Sequence, residues 1–343
     1  MTKTMRACAA VAPGKLALVE VPVPEPDEYE VLVKNEGCVF CNTTDRMITD
    51  ALFATPAYPT LLGHEDFGIV VKVGGKVEKF RLGDRVICAS ATKGFNGTYH
   101  STWGGFAEYG IAGDWEAYCR DHGAPAPEQL YRRRYRHNHI LPADLPREQA
   151  ALAFSLAETA SALAQVGSLE GKTVVVIGTG FVGYSFVYFA KKLGAGQVIC
   201  LGRRESRLAV AEQLGADRVY VDADRASEEI LALGGADIVL EASGNYKATE
   251  KGLPYLKEGG IFAVYAVPSQ PYAMDLQRCP RDFRFQRIEP KVAEKLAWVC
   301  ALLEEDFPAQ LFLTHQWPFD EMIEAFEEVR SGQVIKGLVR FEP

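Results

Sequence analysis

Two constellations in this chain have residue types and spacings that could do chemistry. Cys41 is followed, after a turn-rich stretch, by Gly63-His64-Glu65. A thiol, an imidazole and a carboxylate are soft and hard donors of the kinds that bind a divalent zinc ion. Far downstream, Val174-Val175-Val176-Ile177 runs into Gly178-Thr179-Gly180-Phe181-Val182-Gly183. A glycine turn between an apolar strand and a helix seats a dinucleotide pyrophosphate on the helix N-terminus. A metal combined with a nicotinamide points to alcohol and carbonyl redox chemistry.

The glycines divide the work. Gly178 permits the turn, Gly180 lets backbone approach phosphate oxygens, and Gly183 lets helix and strand pack closely. The run Tyr184 to Lys192 that follows is helix-compatible, which is the context this motif needs, with Phe181 and Val182 inside the loop. The end of the next strand selects the dinucleotide. A carboxylate there would accept from the ribose 2′-hydroxyl and repel a 2′-phosphate. This chain carries Gly202-Arg203-Arg204-Glu205-Ser206-Arg207 instead. Gly202 leaves room, and Arg203, Arg204 and Arg207 offer charge-assisted contacts to a phosphate, so NADP is expected over NAD. Solvent-facing arginines, or Glu205 as a displaced ribose acceptor, are the competing readings. Ser243, beyond the strand-like run Ile238 to Glu241, is a further candidate cofactor contact.

The elements that must position these groups are legible as two patterns. At 343 residues the chain fits two domains, and two domains imply a cleft. Up to about Ala150 it is β-rich, with short β-branched runs at Met5 to Ala10, Leu16 to Val21, Glu30 to Val33, Phe67 to Val73 and Arg85 to Cys88. This predicts a barrel-like domain. From Leu152, helices alternate with the apolar strands Thr173 to Ile177, Gln197 to Leu201, Arg218 to Val221, Ile238 to Glu241 and Ile261 to Val264. Such alternation requires right-handed parallel crossovers, hence an α/β doubly wound sheet. The tail changes again: Phe319 to Ser331 reads as an amphipathic helix and Lys336 to Phe341 as a strand returning to the first domain. The expected division is residues 1–150 with 291–343, and 151–290.

With Leu62-Gly63-His64-Glu65-Asp66-Phe67-Gly68, Gly83-Asp84-Arg85-Val86 and Gly104-Gly105-Phe106-Ala107-Glu108-Tyr109, the chain resembles the zinc-dependent medium-chain dehydrogenases, the family of alcohol, sorbitol and threonine dehydrogenases. The motifs fall in the family's order over nearly the whole chain. The resemblance implies a GroES-like β-barrel catalytic domain, a Rossmann domain inserted before the C-terminal return, and an active site in the cleft. It implies that Cys41 and His64 ligate a catalytic zinc, that Glu65 ligates or stands behind, and that Asp45 orients His64 by fixing its tautomer. A hydroxyl after the cysteine, Thr43 or Thr44, would relay the alcohol proton. It also implies a homodimer or homotetramer.

Three departures qualify it. The loop Cys41-Asn42-Thr43-Thr44-Asp45 is one residue longer than in common members, which is why either threonine qualifies. The family's third ligand falls near Phe154, which cannot bind zinc. Glu158, one helical turn on, is a candidate for that role or for acid/base work beside the nicotinamide. The stretch Ile87 to Trp103 contains only Cys88, so it cannot hold a second, structural zinc, and one zinc per chain is expected. The segment Gly110 to Ile140 is longer than the usual link and reads as a lid or an oligomer contact.

Composition narrows the partners. A formal net charge of -8 offers no footprint for nucleic acid. The one basic run, Arg132-Arg133-Arg134-Tyr135-Arg136-His137, reads as a solvated surface turn or subunit contact. Eight scattered cysteines without an apolar leader indicate a reducing, cytoplasmic setting. No stretch approaches the span of a bilayer. Tyr99, His100, Trp103 and Glu158 suit a sugar, polyol or cyclitol better than an aliphatic alcohol. The alternatives are a zinc-free relative that reduces enones or quinones, and a non-catalytic NADPH-binding protein.

Overall fold

The computed structural model describes the chain apart from residues 1–2, 53–57, 91–97, 102, 127–128, 222, 267–270, 272–273 and 343. It divides into two compact units, Met1–Phe154 with Cys300–Pro343, and Ser155–Val299. The first boundary falls inside the helix Arg147–Leu163, which is mostly small and apolar after Gln149 and contains no glycine or proline.

The first unit is built from two sheets. In one, Lys15–Pro22, Thr4–Ala12, Thr60–Leu61 and His100–Ser101 lie side by side. In the other, the order is Leu313–Pro318, Lys336–Arg340, Glu30–Val39, Asp66–Val73, Arg85–Ile87 and His139–Leu141, with Tyr109–Gly113 also on Glu30–Val39. Glu30–Val39 is the spine, longer than the expected Glu30 to Val33. Its interior Gly37 lets the pattern continue, because a Cβ there would lie 2.7 Å from Leu338 and 3.0 Å from the Val339 carbonyl. The C-terminal return is as expected: Leu338 pairs with Val39 and Arg340 with Gly37. The helix before it is Met322–Arg330, and Phe319–Glu321 forms a preceding 3-10 turn after Pro318.

The basic run is only partly solvated: Arg136 is exposed, while the rest is half-buried or buried. Tyr135 is buried and its hydroxyl donates to Glu30, the buried carboxylate that opens the spine. Arg132 pairs with Asp27 at 2.8 Å and lies over the Tyr118 ring. Gly113 admits this packing, since any Cβ would collide with the Tyr135 ring. The segment also supplies the helix Trp115–His122, capped by Asp114, which accepts from the Ala117 amide.

The second unit is a six-stranded sheet, parallel throughout. Numbered within the unit from Thr173–Ile177, the strands run in the order 3-2-1-4-5-6. The order reverses between Thr173–Ile177 and Ala236–Glu241, which is where such sheets open a ligand crevice. The sixth strand, Phe283–Arg287, was not expected: its alternating Arg and Phe lack a β-branched run. Among the described residues no helix is long and apolar enough to cross a membrane.

Candidate metal centre and nucleotide site

Cys41 follows the end of the spine strand and precedes the short helix Thr44–Thr49. Asp45 locks this turn: its Oδ2 accepts the Cys41 amide at 2.9 Å, while its own amide donates to the Cys41 carbonyl. Gly63 sets up the other side. It sits at φ +88° in the left-handed region, and a Cβ would lie 2.4 Å from the Phe106 nitrogen, so only glycine fits. The Val39 amide donates to the Glu65 carbonyl at 3.1 Å, tying the two ligand segments together.

Cys41 Sγ, a His64 ring nitrogen and a Glu65 oxygen all lie within 4.8 Å of one another. Glu65 uses its oxygens differently: Oε1 is 3.8 Å from His64 Nε2, while Oε2 accepts from the Lys336 ammonium at 2.5 Å. His64 Nδ1 faces Asp45 Oδ1 at 3.6 Å, and both atoms are buried with no other partner. Burial alone would push the imidazole down, yet Asp45 and Cys41 outweigh it and hold it well above its usual range. One thiol, one imidazole and one carboxylate are the number and kinds of donor that a catalytic zinc takes, with a fourth position left for substrate. Phe154, at the position expected to lack a ligand, is buried. Glu158 belongs to the second unit and is half-buried on Arg147–Leu163. Of the two threonines, Thr43 is exposed and Thr44 half-buried.

Three groups near His64 were not assigned these contacts from the sequence. Lys336, buried with Glu65, lies in a run that reads only as an apolar strand. Trp103 packs on His64 in a tilted arrangement, with ring centroids 4.8 Å apart. The Arg134 guanidinium lies 5.3 Å from the Trp103 ring, and burial holds it down at about 10. Tyr99 packs against the core of the first sheet and His100 is exposed. Within Ile87 to Trp103, residues 91–97 and 102 lie outside the described residues; Cys88 is buried, its thiol directed at the His64 carbonyl. The eight cysteines are all free.

The second unit carries the nucleotide site. The loop Gly178 to Gly180 caps the helix Phe181–Lys192. Gly178 has φ +123°, so the turn itself requires glycine. A Cβ on Gly183 would lie 1.9 Å from the Gly178 carbonyl, whereas one on Gly180 would meet nothing within 4 Å. That open face is where a pyrophosphate would approach. Gly202 serves packing: a Cβ would lie 2.6 Å from Thr179. A cavity of about 480 Å³ adjoins the loop, lined among others by Ser243, Arg203, Arg204 and Arg207, as expected, and by Lys247 and Lys251. Arg207 also donates to the Thr179 carbonyl at 3.1 Å, bracing the loop. Glu205 is exposed and is not among the lining residues. The lysines were missed, although their spacing of four along the helix Tyr246–Gly252 puts them on one face. Glu241, at the crevice, accepts from the Ser243 hydroxyl and amide and from the Gly244 amide.

A dinucleotide-type crevice and a candidate three-donor metal cluster on one chain define the class as a metal- and nicotinamide-dependent oxidoreductase. Residues 27–120 match the family model for the alcohol dehydrogenase GroES-like domain, and residues 182–285 that for zinc-binding dehydrogenase. The chain is 29% identical over 334 residues to the L-threonine 3-dehydrogenase of Bacillus subtilis (strain 168), covering 92% of each. It is 28% identical to the sorbitol dehydrogenase of Bombyx mori over 97% of this chain and 98% of that one. The fold matches an alcohol dehydrogenase zinc-binding domain protein from Burkholderia ambifaria with a TM-score of 0.83, 21% identity and complete coverage of both chains. The protein belongs to the zinc-dependent medium-chain dehydrogenase family.

Proposed function

We propose that this alcohol dehydrogenase transfers hydride between NADP(H) and a secondary alcohol or ketone of a sugar, polyol or cyclitol, using one zinc per chain. The observation that carries the reading is the clustering of Cys41, His64 and Glu65 within 4.8 Å. Bound there, zinc supplies Lewis acidity to the substrate oxygen, and the nicotinamide supplies or accepts the hydride.

The chain's own residues do the rest. Cys41, His64 and Glu65 Oε1 hold the metal, and Asp45 fixes the imidazole ring so that Nε2 is the ligating atom. Lys336 offsets the charge of the second Glu65 oxygen, while Oε1 is the oxygen turned toward His64. Thr44, the half-buried hydroxyl, accepts the alcohol proton and passes it toward solvent. In the second unit, Gly180 with Phe181 and Val182 receives the pyrophosphate at the helix N-terminus. NADP is favoured over NAD because Arg203, Arg204, Lys247 and Lys251 line the cavity and no carboxylate stands among its described lining residues. Polyol relatives such as the silkworm sorbitol dehydrogenase support the substrate class.

Zinc counted per chain, followed by NADP-linked oxidation of polyols and sugars, tests the reading. Cys41→Ser and His64→Ala should each lose zinc and abolish oxidation while NADPH still binds. Unchanged turnover in both variants would refute the zinc assignment. Zinc-free protein that reduces an enone would move the chain to the zinc-independent reductases.

A further inference from the structure

We infer that Arg134 makes the substrate site an anion-selective one, so that the alcohol it takes carries a phosphate or carboxylate group. This rests on the dehydrogenase reading and specifies its substrate class.

Three observations carry it. First, Arg134 is brought to the metal centre by the segment between Tyr109–Gly113 and His139–Leu141, which is anchored by Tyr135 on Glu30 and Arg132 on Asp27. The neighbouring side chains thus have structural partners, whereas the Arg134 Nη1 is buried with no hydrogen-bond partner. A guanidinium N–H shut away from water without an acceptor is costly, and such groups call for an explanation. Second, it shares an aromatic neighbour with the metal ligand: the guanidinium lies 5.3 Å from the Trp103 ring, and the tilted Trp103 ring lies 4.8 Å from His64. Both the charge and the imidazole thus contact one indole. A polyol chain laid along the indole edge would put its reacting hydroxyl at the metal and a terminal oxyanion at Arg134. Third, the charge is not spent on a neighbour. Asp66 is the carboxylate whose field reaches Arg134. Its carboxylate is buried among backbone amides, and Oδ1 is turned under Gly105, where a Cβ would lie 2.5 Å from it. No hydrogen-bonded pair forms between them. The planar fork of an arginine on an aromatic face is suited to a tetrahedral or planar oxyanion.

The experiment uses the zinc-loaded protein saturated with NADP+, which also fills the cationic nucleotide pocket. A hexitol, its terminal phosphate ester and the matching aldonate are compared by kcat/KM in wild type and Arg134→Gln. Binding of inorganic phosphate is titrated by calorimetry in parallel. The wild type should prefer one or both anionic substrates, and the anionic-to-neutral ratio should fall at least about tenfold in the variant. Which ester or acid wins identifies the anion. If Arg134→Gln misfolds, Arg134→Met, which keeps the stem packed on Trp103, decides the same ratio. A ratio unaltered in a folded variant overturns this inference and leaves the dehydrogenase reading standing. No turnover of any alcohol, with phosphate binding that depends on Arg134, does the reverse.

Discussion

Lys336 and Glu65 are both almost wholly buried, with side-chain exposures of 6% and 2%. Two opposite charges taken out of water need each other, and removing one partner strands the other. Lys336→Met should therefore destabilise the zinc-free protein by about 3–5 kcal/mol. The loss should be smaller in the zinc-loaded protein, since a cation at the cluster would take over the stranded carboxylate. Urea unfolding with and without zinc measures both. An equal loss in the two states would mean that Glu65 does not bind the metal. At the nucleotide site, Arg203→Ala with Arg204→Ala should weaken NADPH at least about tenfold more than NADH. Equal weakening in titrations of the two cofactors would remove the phosphate-contact argument.

At the level of elements, the glycine turn joins a buried strand to a buried helix, and its glycines are required for different reasons. Gly183 has no room for a methyl group, because the Gly178 carbonyl would be 1.9 Å away. Gly183→Ala must push the helix off the strand, so a loss of about 1–3 kcal/mol in stability should accompany lost cofactor binding. Gly180 has open space around its Cβ position and a φ of -97° that alanine adopts readily. Gly180→Ala should thus keep its melting temperature and still bind NADPH poorly, because the methyl occupies the face meant for phosphate. Thermal melts with cofactor titrations separate the two cases. Identical behaviour of the two variants would contradict the division of roles.

For the molecule as a whole, acid stability should be governed in part by two histidines outside the candidate metal cluster. Burial first, then the positive charges of Arg136 and Arg134, hold His137 down at about 4. Burial and the charges of Lys79 and His137 do the same to His139, also to about 4. The fold thus favours the neutral imidazoles. Their contribution is fully present above the ordinary 6.5 and is lost as pH falls toward about 4. His139 Nε2 is buried without a partner, so its protonation has nothing to offset it. The stability lost between about pH 7.5 and about pH 5 should shrink by roughly 1 kcal/mol in His139→Gln. Urea denaturation at the two pH values gives the slope, and an unchanged slope would mean that His139 titrates normally.

The sequence alone determined the class of fold, the strand-turn-helix around the glycine motif and the chain's return to its first unit, and it named Cys41, His64 and Glu65 as the candidate metal donors. Those features are local: period-two runs, glycines whose neighbours lie within a few residues, and ligands beside turns that only glycine can make. What tertiary structure decided is long-range. Lys336 meets Glu65 across 271 positions, and nothing in a single apolar strand says which buried carboxylate its lysine will face. The basic run looked solvated because charge density is a local cue. The burial of Tyr135 and the pairing of Arg132 follow from Glu30 and Asp27, more than a hundred residues upstream, which accept from them. The same applies to the metal set. Spacing could not say which side chains would share one place, and only the fold brings Cys41, His64 and Glu65 within 4.8 Å of one another. Pairing energies depend on which groups share a low-dielectric space, and only the folded chain specifies that.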